Sequence, residues 1–414
     1  MSREMKDSEV EWIGSVPKEW NVGKLKSFSE IKSGDYVSKE MYQETGSYSI
    51  IGSNGEIGKY NKFNNIDNVI VTGRVGTIGN VQIVGKSWIT DNVLIIKNNE
   101  RYINQKYLSY ALKNIDYNNI QTGTAQPLIT ASKIKEVRLP IPQKYTQIKI
   151  ANYLDKKVSQ IDDIISKQKS LIEKYKAYKQ SLITETVIKG LNKNVPMKDS
   201  GIEWIGEIPS NWNSIKVKHT CDLKGRIGWQ GLKSDEFIEY GPYLITGINF
   251  KAGAIDWNTC FHITEERYNE AVQIQIREGD LLITKDGTIG KLAIVKNMPY
   301  KTSLNSGVLL IRNISDLYIN KFLYYILASN IFWTWYKMNQ TGNSTILHLY
   351  QEKFKEFEYT LPNKDEQIEI IEYLDKKCSK IDSLLTEKEK LILKLEDYKK
   401  SLIYECVTGK REVN

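Results

Sequence analysis

The stretch Gln147-Ile148-Lys149-Ile150-Ala151-Asn152-Tyr153-Leu154-Asp155-Lys156-Lys157 returns as Gln367-Ile368-Glu369-Ile370-Ile371-Glu372-Tyr373-Leu374-Asp375-Lys376-Lys377, and this return decides how the chain is built. Without a gap, residues 147–188 align on 367–408 with 21 of 42 positions identical. A second pair, residues 7–26 (DSEVEWIGSVPKEWNVGKLK) and 199–218 (DSGIEWIGEIPSNWNSIKVK), matches at 11 of 20 positions. Chance does not produce such matches, so the chain is an internal duplication. The copies run over about 7–190 and 199–410, joined by the short polar stretch 191–198.

The repeated end segments are long helices. Apolar positions step by four and three through Leu154, Val158, Ile161, Ile165, Ile172, Tyr175 and Leu182. The second copy repeats them as Leu374, Cys378, Ile381, Leu385, Ile392, Leu395 and Leu402. That spacing is a heptad seam. Ile164, Leu171 and Tyr178, with Leu384, Leu391 and Tyr398, are expected to widen it. Gln168/Lys388 and Lys179/Lys399 put polar groups on the seam, as register setters or as solvent-facing breaks. Neither segment has an internal Pro or Gly, and Gly190 and Gly409 stand where helix stops belong. About 42 residues at roughly 1.5 Å each make a rod of roughly 60 Å. Two such rods from homologous copies bury each other's stripes most simply about a pseudo-two-fold axis, which makes them antiparallel. The other packing open to them is each helix against its own globular domain.

The middles, about 20–146 and 212–365, share little beyond one loop. Arg74-Val75-Gly76-Thr77-Ile78-Gly79 resembles Asp286-Gly287-Thr288-Ile289-Gly290, with Asn80 and Lys291 following. Short β-rich runs such as Val69-Ile70-Val71-Thr72 and Leu281-Leu282-Ile283-Thr284 lie between Gly- and Asn-rich turns, and helical stretches interrupt them near 105–113 and 321–336. The fold class is therefore mixed, α/β or α+β. Its expected parts are 1–146, a first globular domain; 147–198, the first long helix and linker; 199–365, a second globular domain; and 366–414, the second long helix and tail. A duplication that keeps its ends and varies its middle suggests one scaffold presenting two different readers.

Composition narrows the chemistry. The chain has 414 residues, 41% of them hydrophobic and 26% charged, with a net charge of +8. That excludes a wholly disordered or low-complexity chain. Basic residues outnumber acidic ones 16 to 10 over 20–146 and 9 to 5 over 147–190, but only 18 to 16 over 212–365, with 10 to 11 over 366–414. A basic first copy fits contact with nucleic acid, although solvated lysine faces look the same. No apolar run is long enough to span a bilayer, the start of the chain lacks a hydrophobic signal core, and the four cysteines form no CxxC. These features lead us to expect a cytoplasmic protein that does not engage a membrane.

Catalytic signatures are scarce. Gly85-Lys86-Ser87 has Asn80 where a phosphate-binding loop needs glycine, and no N-P-P-[YF] occurs. Only three histidines exist, which leaves little for histidine acid–base chemistry. A Cys2His2 zinc site from His219, Cys221, Cys260 and His262 has unsuitable one-residue spacings, so no metal site is expected. The repeated loop is either a plain hairpin or a nucleic-acid contact in which Arg74, Thr77, Asn80, Lys285, Thr288 and Lys291 face phosphates or base edges. Gln121, Thr124 and Gln126, and Gln340, Asn343 and Ser344, occupy matching places before the long helices and offer donors and acceptors for the same purpose. Trp12, Trp20, Trp204 and Trp212, in Glu-Trp-Ile-Gly-x-[Val/Ile]-Pro-x-x-Trp, either pack a domain onto its support or dock a partner.

Taken in order, D-S-x-x-E-W-I-G-x-[VI]-P-x-x-W, a variable domain, [IL]-P-x-x-x-x-Q-I-x-x-x-x-Y-L-D-K-K and a heptad helix ending Y-K-x-S-L-I-x-E-x-V, all twice, the chain resembles the DNA specificity subunit of type I restriction–modification systems. The resemblance spans essentially the whole chain. The family's frequent P-P-[LI]-x-E-Q before the helix is weaker here, reading Ile141-Pro142-Gln143-Lys144-Tyr145-Thr146-Gln147, while the second copy keeps Glu366-Gln367. The resemblance implies that the middles are target recognition domains, each reading one half of a split site in double-stranded DNA. It also implies an antiparallel coiled coil that sets their separation and helps dock two methyltransferase (modification) subunits, with restriction subunits completing the assembly. On that reading this chain holds no cofactor and no catalytic residue, and S-adenosylmethionine, ATP and magnesium belong to the partners. The competing reading is a coiled-coil protein–protein adaptor without DNA specificity.

Overall fold

In the computed structural model, the described residues are 3–122, 128–228, 231–339 and 348–413. The chain forms two compact units, residues 1–169 with 389–414 and residues 170–388. This division cuts across the sequence repeat, because part of each long helix, Lys144–Lys189 and Lys364–Val407, belongs to each unit.

The first unit holds a four-stranded antiparallel sheet in the order Ser29–Ser33, Val93–Asn98, Val69–Gly73, Val81–Val84. Beside it lies a three-stranded sheet, Gly55–Tyr60, Tyr48–Gly52 and Trp88–Ile89, whose last pair is parallel. The second unit repeats this plan: Cys221–Gly225, Val308–Asn313, Leu281–Thr284, Leu292–Ile294, all antiparallel. Its three-stranded sheet, Phe261–His262, Ile238–Ile245 and Thr302–Leu304, again ends in a parallel pair. Middles that look unrelated in sequence are therefore one fold. Interchangeable Val, Ile and Leu satisfy the same strand positions, so pairing persists while identity is lost. Val69–Gly73 and Leu281–Thr284 are buried along their whole length, as inner strands of a doubly covered sheet should be. The second unit's expected helix over 321–336 is two helices, Asn320–Ala328 and Asn330–Asn339, broken at Ser329, whose hydroxyl accepts from the Ile331 N–H.

Within each unit the long-helix segments run antiparallel. In the first, Tyr107 donates to the Val407 and Pro140 carbonyls while Lys399 meets Asp162 at 2.6 Å. In the second, Thr360 donates to the Val187 carbonyl while Lys179 meets Asp382 at 2.6 Å. Leu154, Ile161, Ile165, Ile172, Leu374, Ile381, Ile392 and Leu402 are buried, and Leu182 and Leu385 half-buried, as a seam requires. The seam lysines Lys179 and Lys399 thus reach across to equivalent aspartates. Such partly exposed pairs contribute at most about 1 kcal/mol, so their value lies in fixing register. One expectation is corrected: Ile164, Leu171, Tyr178, Leu391 and Tyr398 do not widen the seam but are exposed. Their heptad spacing places them on a second stripe beside it.

Each helix stops at a glycine with left-handed φ, Gly190 at +70° and Gly409 at +74°. A Cβ on Gly190 would come within 3.0 Å of the Trp212 ring, and one on Gly409 within 2.5 Å of Pro17 and 3.0 Å of Trp20. The second tryptophan of each repeated motif therefore roofs a helix stop, and the first motif is completed by the C-terminal end of the chain.

Candidate nucleic-acid interface

The repeated loop joins Val69–Gly73 to Val81–Val84 in the first unit and Leu281–Thr284 to Leu292–Ile294 in the second. Both copies adopt one backbone shape, with positive φ at Gly76 and Gly79 and at Gly287 and Gly290. A side chain at Gly79 would strike Tyr117, and one at Gly290 would strike Trp333. Repetition of the glycines is thus explained by the turn and its aromatic floor.

The loop does not stand alone. Val75 bridges Leu128, and Asp286 bridges His348 at the equivalent place. Ile129 N–H donates to the Arg74 carbonyl, as Leu349 N–H does to Lys285. In each copy the described residues that follow the second loop, Leu128 and Ile129 or His348 and Leu349, are therefore tied to the first. Thr124, Gln126, Gln340, Asn343 and Ser344 lie outside the described residues, so only their flanks are placed.

The candidate side chains divide by exposure. Thr77, Thr288 and Lys291 are exposed at the tips, the last also donating to the Gly247 carbonyl at 3.3 Å. Arg74 and Lys285, which occupy equivalent positions, turn inward instead. Arg74 donates to Ser33 Oγ at 3.3 Å, and Lys285 pairs with Asp286 at 2.8 Å, whose other oxygen meets His348. Asn80 donates to the Ser53 carbonyl at 3.3 Å and Gln121 to Asn118 at 3.3 Å, leaving both half-buried. Arg74 and Lys285 thus brace the loops, and the hydroxyl-bearing tips are what the loops present outward.

Trp20 and Trp212 are buried at the helix stops, Trp212 donating to Glu366 at 3.1 Å. Trp12 and Trp204 are half-buried, and Trp204 donates to the Glu358 carbonyl at 3.1 Å. Trp20 and Trp212 thus pack against the helix stops. Among the described residues there is no group of three or more His, Cys, Asp or Glu that could hold a metal ion. Cys221, one of the four considered for zinc, is buried against Thr220 and Tyr318. Lys86 of Gly85-Lys86-Ser87 lies over the Phe63 and Tyr48 rings, 4.0 and 4.7 Å from their centroids. No described helix is long and apolar enough to cross a membrane.

Two repeated residues that earned no role from sequence hold the middle domains to the helices. Gln147 is buried; its carbonyl accepts from Asn104 N–H at 2.7 Å, and its amide donates to Tyr102 and Pro142 carbonyls at 3.1 and 2.8 Å. Gln367 makes the same three bonds to Ile319, Leu317 and Pro362. Asp155 binds Tyr110 at 2.9 Å and Lys106 at 2.6 Å, and Asp375 binds Tyr325 and Lys321 likewise. Burial, reinforced by the aspartate, raises both tyrosine hydroxyls well above their ordinary range. The signal was present, since Gln and Asp are fixed points of the repeat, but their partners lie some 45 residues upstream in the varied middles.

The fold and site define a class: a duplicated scaffold that carries two structurally equivalent, sequence-diverged domains on paired helices. Residues 17–174 and 209–394 match the family described as type I restriction modification DNA specificity domain, and the chain belongs to that family. It is 24% identical over 415 residues to the type I restriction enzyme MjaVIII specificity subunit of Methanocaldococcus jannaschii, covering 96% of this chain and 94% of that one. It is 20% identical over 287 residues to the EcoBI specificity subunit of Escherichia coli, covering 68% of this chain and 60% of that one. Its fold is shared with a chain solved in work on complex assembly and conformational transition of the type I R-M system, at TM-score 0.72 and 14% identity over 96% and 99% of the two chains. It is also similar to the HsdS subunit from Thermoanaerobacter tengcongensis, at TM-score 0.50 and 14% identity over 96% and 98% of the two chains.

Proposed function

We propose that this chain selects an asymmetric, two-part sequence in double-stranded DNA for a type I restriction–modification complex and performs no catalysis itself. One observation carries the reading: two domains with the same order of strands in their main sheets have diverged in sequence while the helices and junctions that hold them stayed more alike. Divergence greatest in the middles suits two readers of unlike half-sites. The outward loop ends around Thr77 and Thr288 are the favoured points of approach to bases, with the half-buried donor Gln121 and the exposed Lys291 beside them. The exposed stripe of Leu171, Tyr178, Leu391 and Tyr398 offers two equivalent apolar faces for modification subunits. Methyl transfer from S-adenosylmethionine, and ATP- and magnesium-dependent work, then fall to modification and restriction subunits.

The test is DNA binding by this chain together with its modification subunits, across a salt series. Preference for one duplex over unrelated ones by at least about a thousandfold, weakening with salt, is the expected result. A complex that assembles but binds every duplex alike would favour the adaptor reading.

A further inference from the structure

The duplication supplies two versions of one surface, and what they retained is unexpected. Residues 21–33 and 213–225 share four of 13 positions, three of them lysines: Lys24/Lys216, Lys26/Lys218 and Lys32/Lys224. Residues 131–142 and 351–362 share four of 12: Lys133/Lys353, Lys135/Lys355, Glu136/Glu356 and Pro142/Pro362. In the same stretches the buried positions have drifted. Phe28 became Thr220, Ile134 became Phe354 and Leu139 became Tyr359. Packing normally holds a core while the surface wanders. Here the core was repacked and its neighbours at the surface changed too, Arg138 standing opposite Glu358, yet these lysines were kept, which points to a ligand for their charge.

The lysines share a face. Lys24 and Lys26 both grip Glu136, at 2.7 and 2.5 Å, and Lys216 and Lys218 grip Glu356 at 3.0 and 2.6 Å. Hydrogen bonds from the two lysines hold each glutamate down at a pKa of about 2, and two lysines against one glutamate leave each cluster with one excess positive charge. Next to it in the first unit is an open groove of about 800 Å³, lined by Lys26, Lys32, Lys97 and Lys135. Glu30 and Asp67 line it too, but Asp67 is paired with Lys97 at 2.8 Å. Lys32 and Lys135 have no ionic partner among the described residues. The face lies near the loop end: Lys133, on the same short helix as Lys135, reaches the Gln121 carbonyl. In the second unit Lys224 meets Asp222 at 3.3 Å, Lys355 meets Glu352 at 2.7 Å, and Arg312, in place of Lys97, is tied to Asp280.

We infer that this duplicated basic face, Lys26, Lys32 and Lys135 in the first unit and Lys218, Lys224 and Lys355 in the second, grips the phosphate backbone of the duplex whose bases the adjoining loops read. The inference rests on the DNA-specificity reading. Phosphate contacts carry no sequence information, so one set of lysines serves two readers of different sequences. This explains why these positions were retained while the loops diverged. The first face, with its unpaired lysines, grips more strongly than the second.

The test uses the complex with modification subunits and compares Lys32→Gln/Lys135→Gln with Lys224→Gln/Lys355→Gln. Each is titrated with a target duplex and an unrelated duplex over a salt series. The first pair breaks no ion pair, so thermal unfolding of the chain should be unchanged. It should weaken both duplexes on the order of tenfold or more near physiological salt and flatten the log–log salt slope by about two, with the preference between them preserved. The second pair should flatten it less. An unchanged slope, with wild-type selectivity intact, overturns the phosphate face alone. Loss of modification subunits with an unchanged slope overturns it in favour of a protein-docking face. A wild-type complex that does not distinguish the two duplexes would overturn the specificity reading itself.

Discussion

Replacing Gln147 by methionine is expected to cost about 3 kcal/mol or more of stability in the first unit. The substitution keeps the volume but strands one backbone N–H and two carbonyls that the amide satisfies in a buried site. Each unpaired group costs about 1–3 kcal/mol. Since the three belong to the chain around Tyr102 and Asn104 and to Pro142 just before the long helix, the loss falls on the joint between reader and support. Chemical denaturation should show an early transition in Gln147→Met, and Gln367→Met should do the same for the second unit through Ile319, Leu317 and Pro362. A midpoint shift below about 0.5 kcal/mol would mean that water or rearrangement satisfies these groups and that the glutamines are not joints.

The other large effect concerns recognition. Exchanging residues 20–146 for the matching domain of another family member should abolish methylation at the original sites and create a new motif that keeps one original half. The equivalence of the two sheets supports this, because a domain that the fold already accepts in two sequences tolerates a third. The joint residues to preserve are those facing Gln147 and Asp155, notably Lys106 and Tyr110. Mapping of modified bases decides the matter, and a change in both halves would show that the readers do not act separately.

The repeat, the helices and their antiparallel seam were legible because heptad spacing and stop glycines are local signals. Leu154, Ile161 and Ile381 are buried as that spacing demands. The outer positions mislead: Leu171 and Tyr178 lie close enough to the seam in a helical projection to read as part of it, and only the packing shows which side is covered. That the middles are homologous domains followed from the duplication around them, but their shared strand order was not legible in detail, since Val, Ile and Leu exchange freely at strand positions. The loop motif was found, but the sense of its charges was not. Arg74 and Lys285 are cations whose partners, Ser33 for one and Asp286 with His348 for the other, decide that they brace instead of reach. Ser33 is far from Arg74 in sequence, so nothing in the first loop could announce its partner, whereas Asp286 stands beside Lys285 in the second loop and was the one local sign.

The central claim is that this chain alone dictates which DNA sequence its complex modifies. It is tested most directly by mapping methylated bases across the genome of one host carrying the modification subunits, with and without this chain. We predict a single two-part motif with unlike halves, methylated nearly to completion when the chain is present and unmodified when it is absent. Methylation of the same motif without the chain, or methylation with no common motif in its presence, would contradict the account.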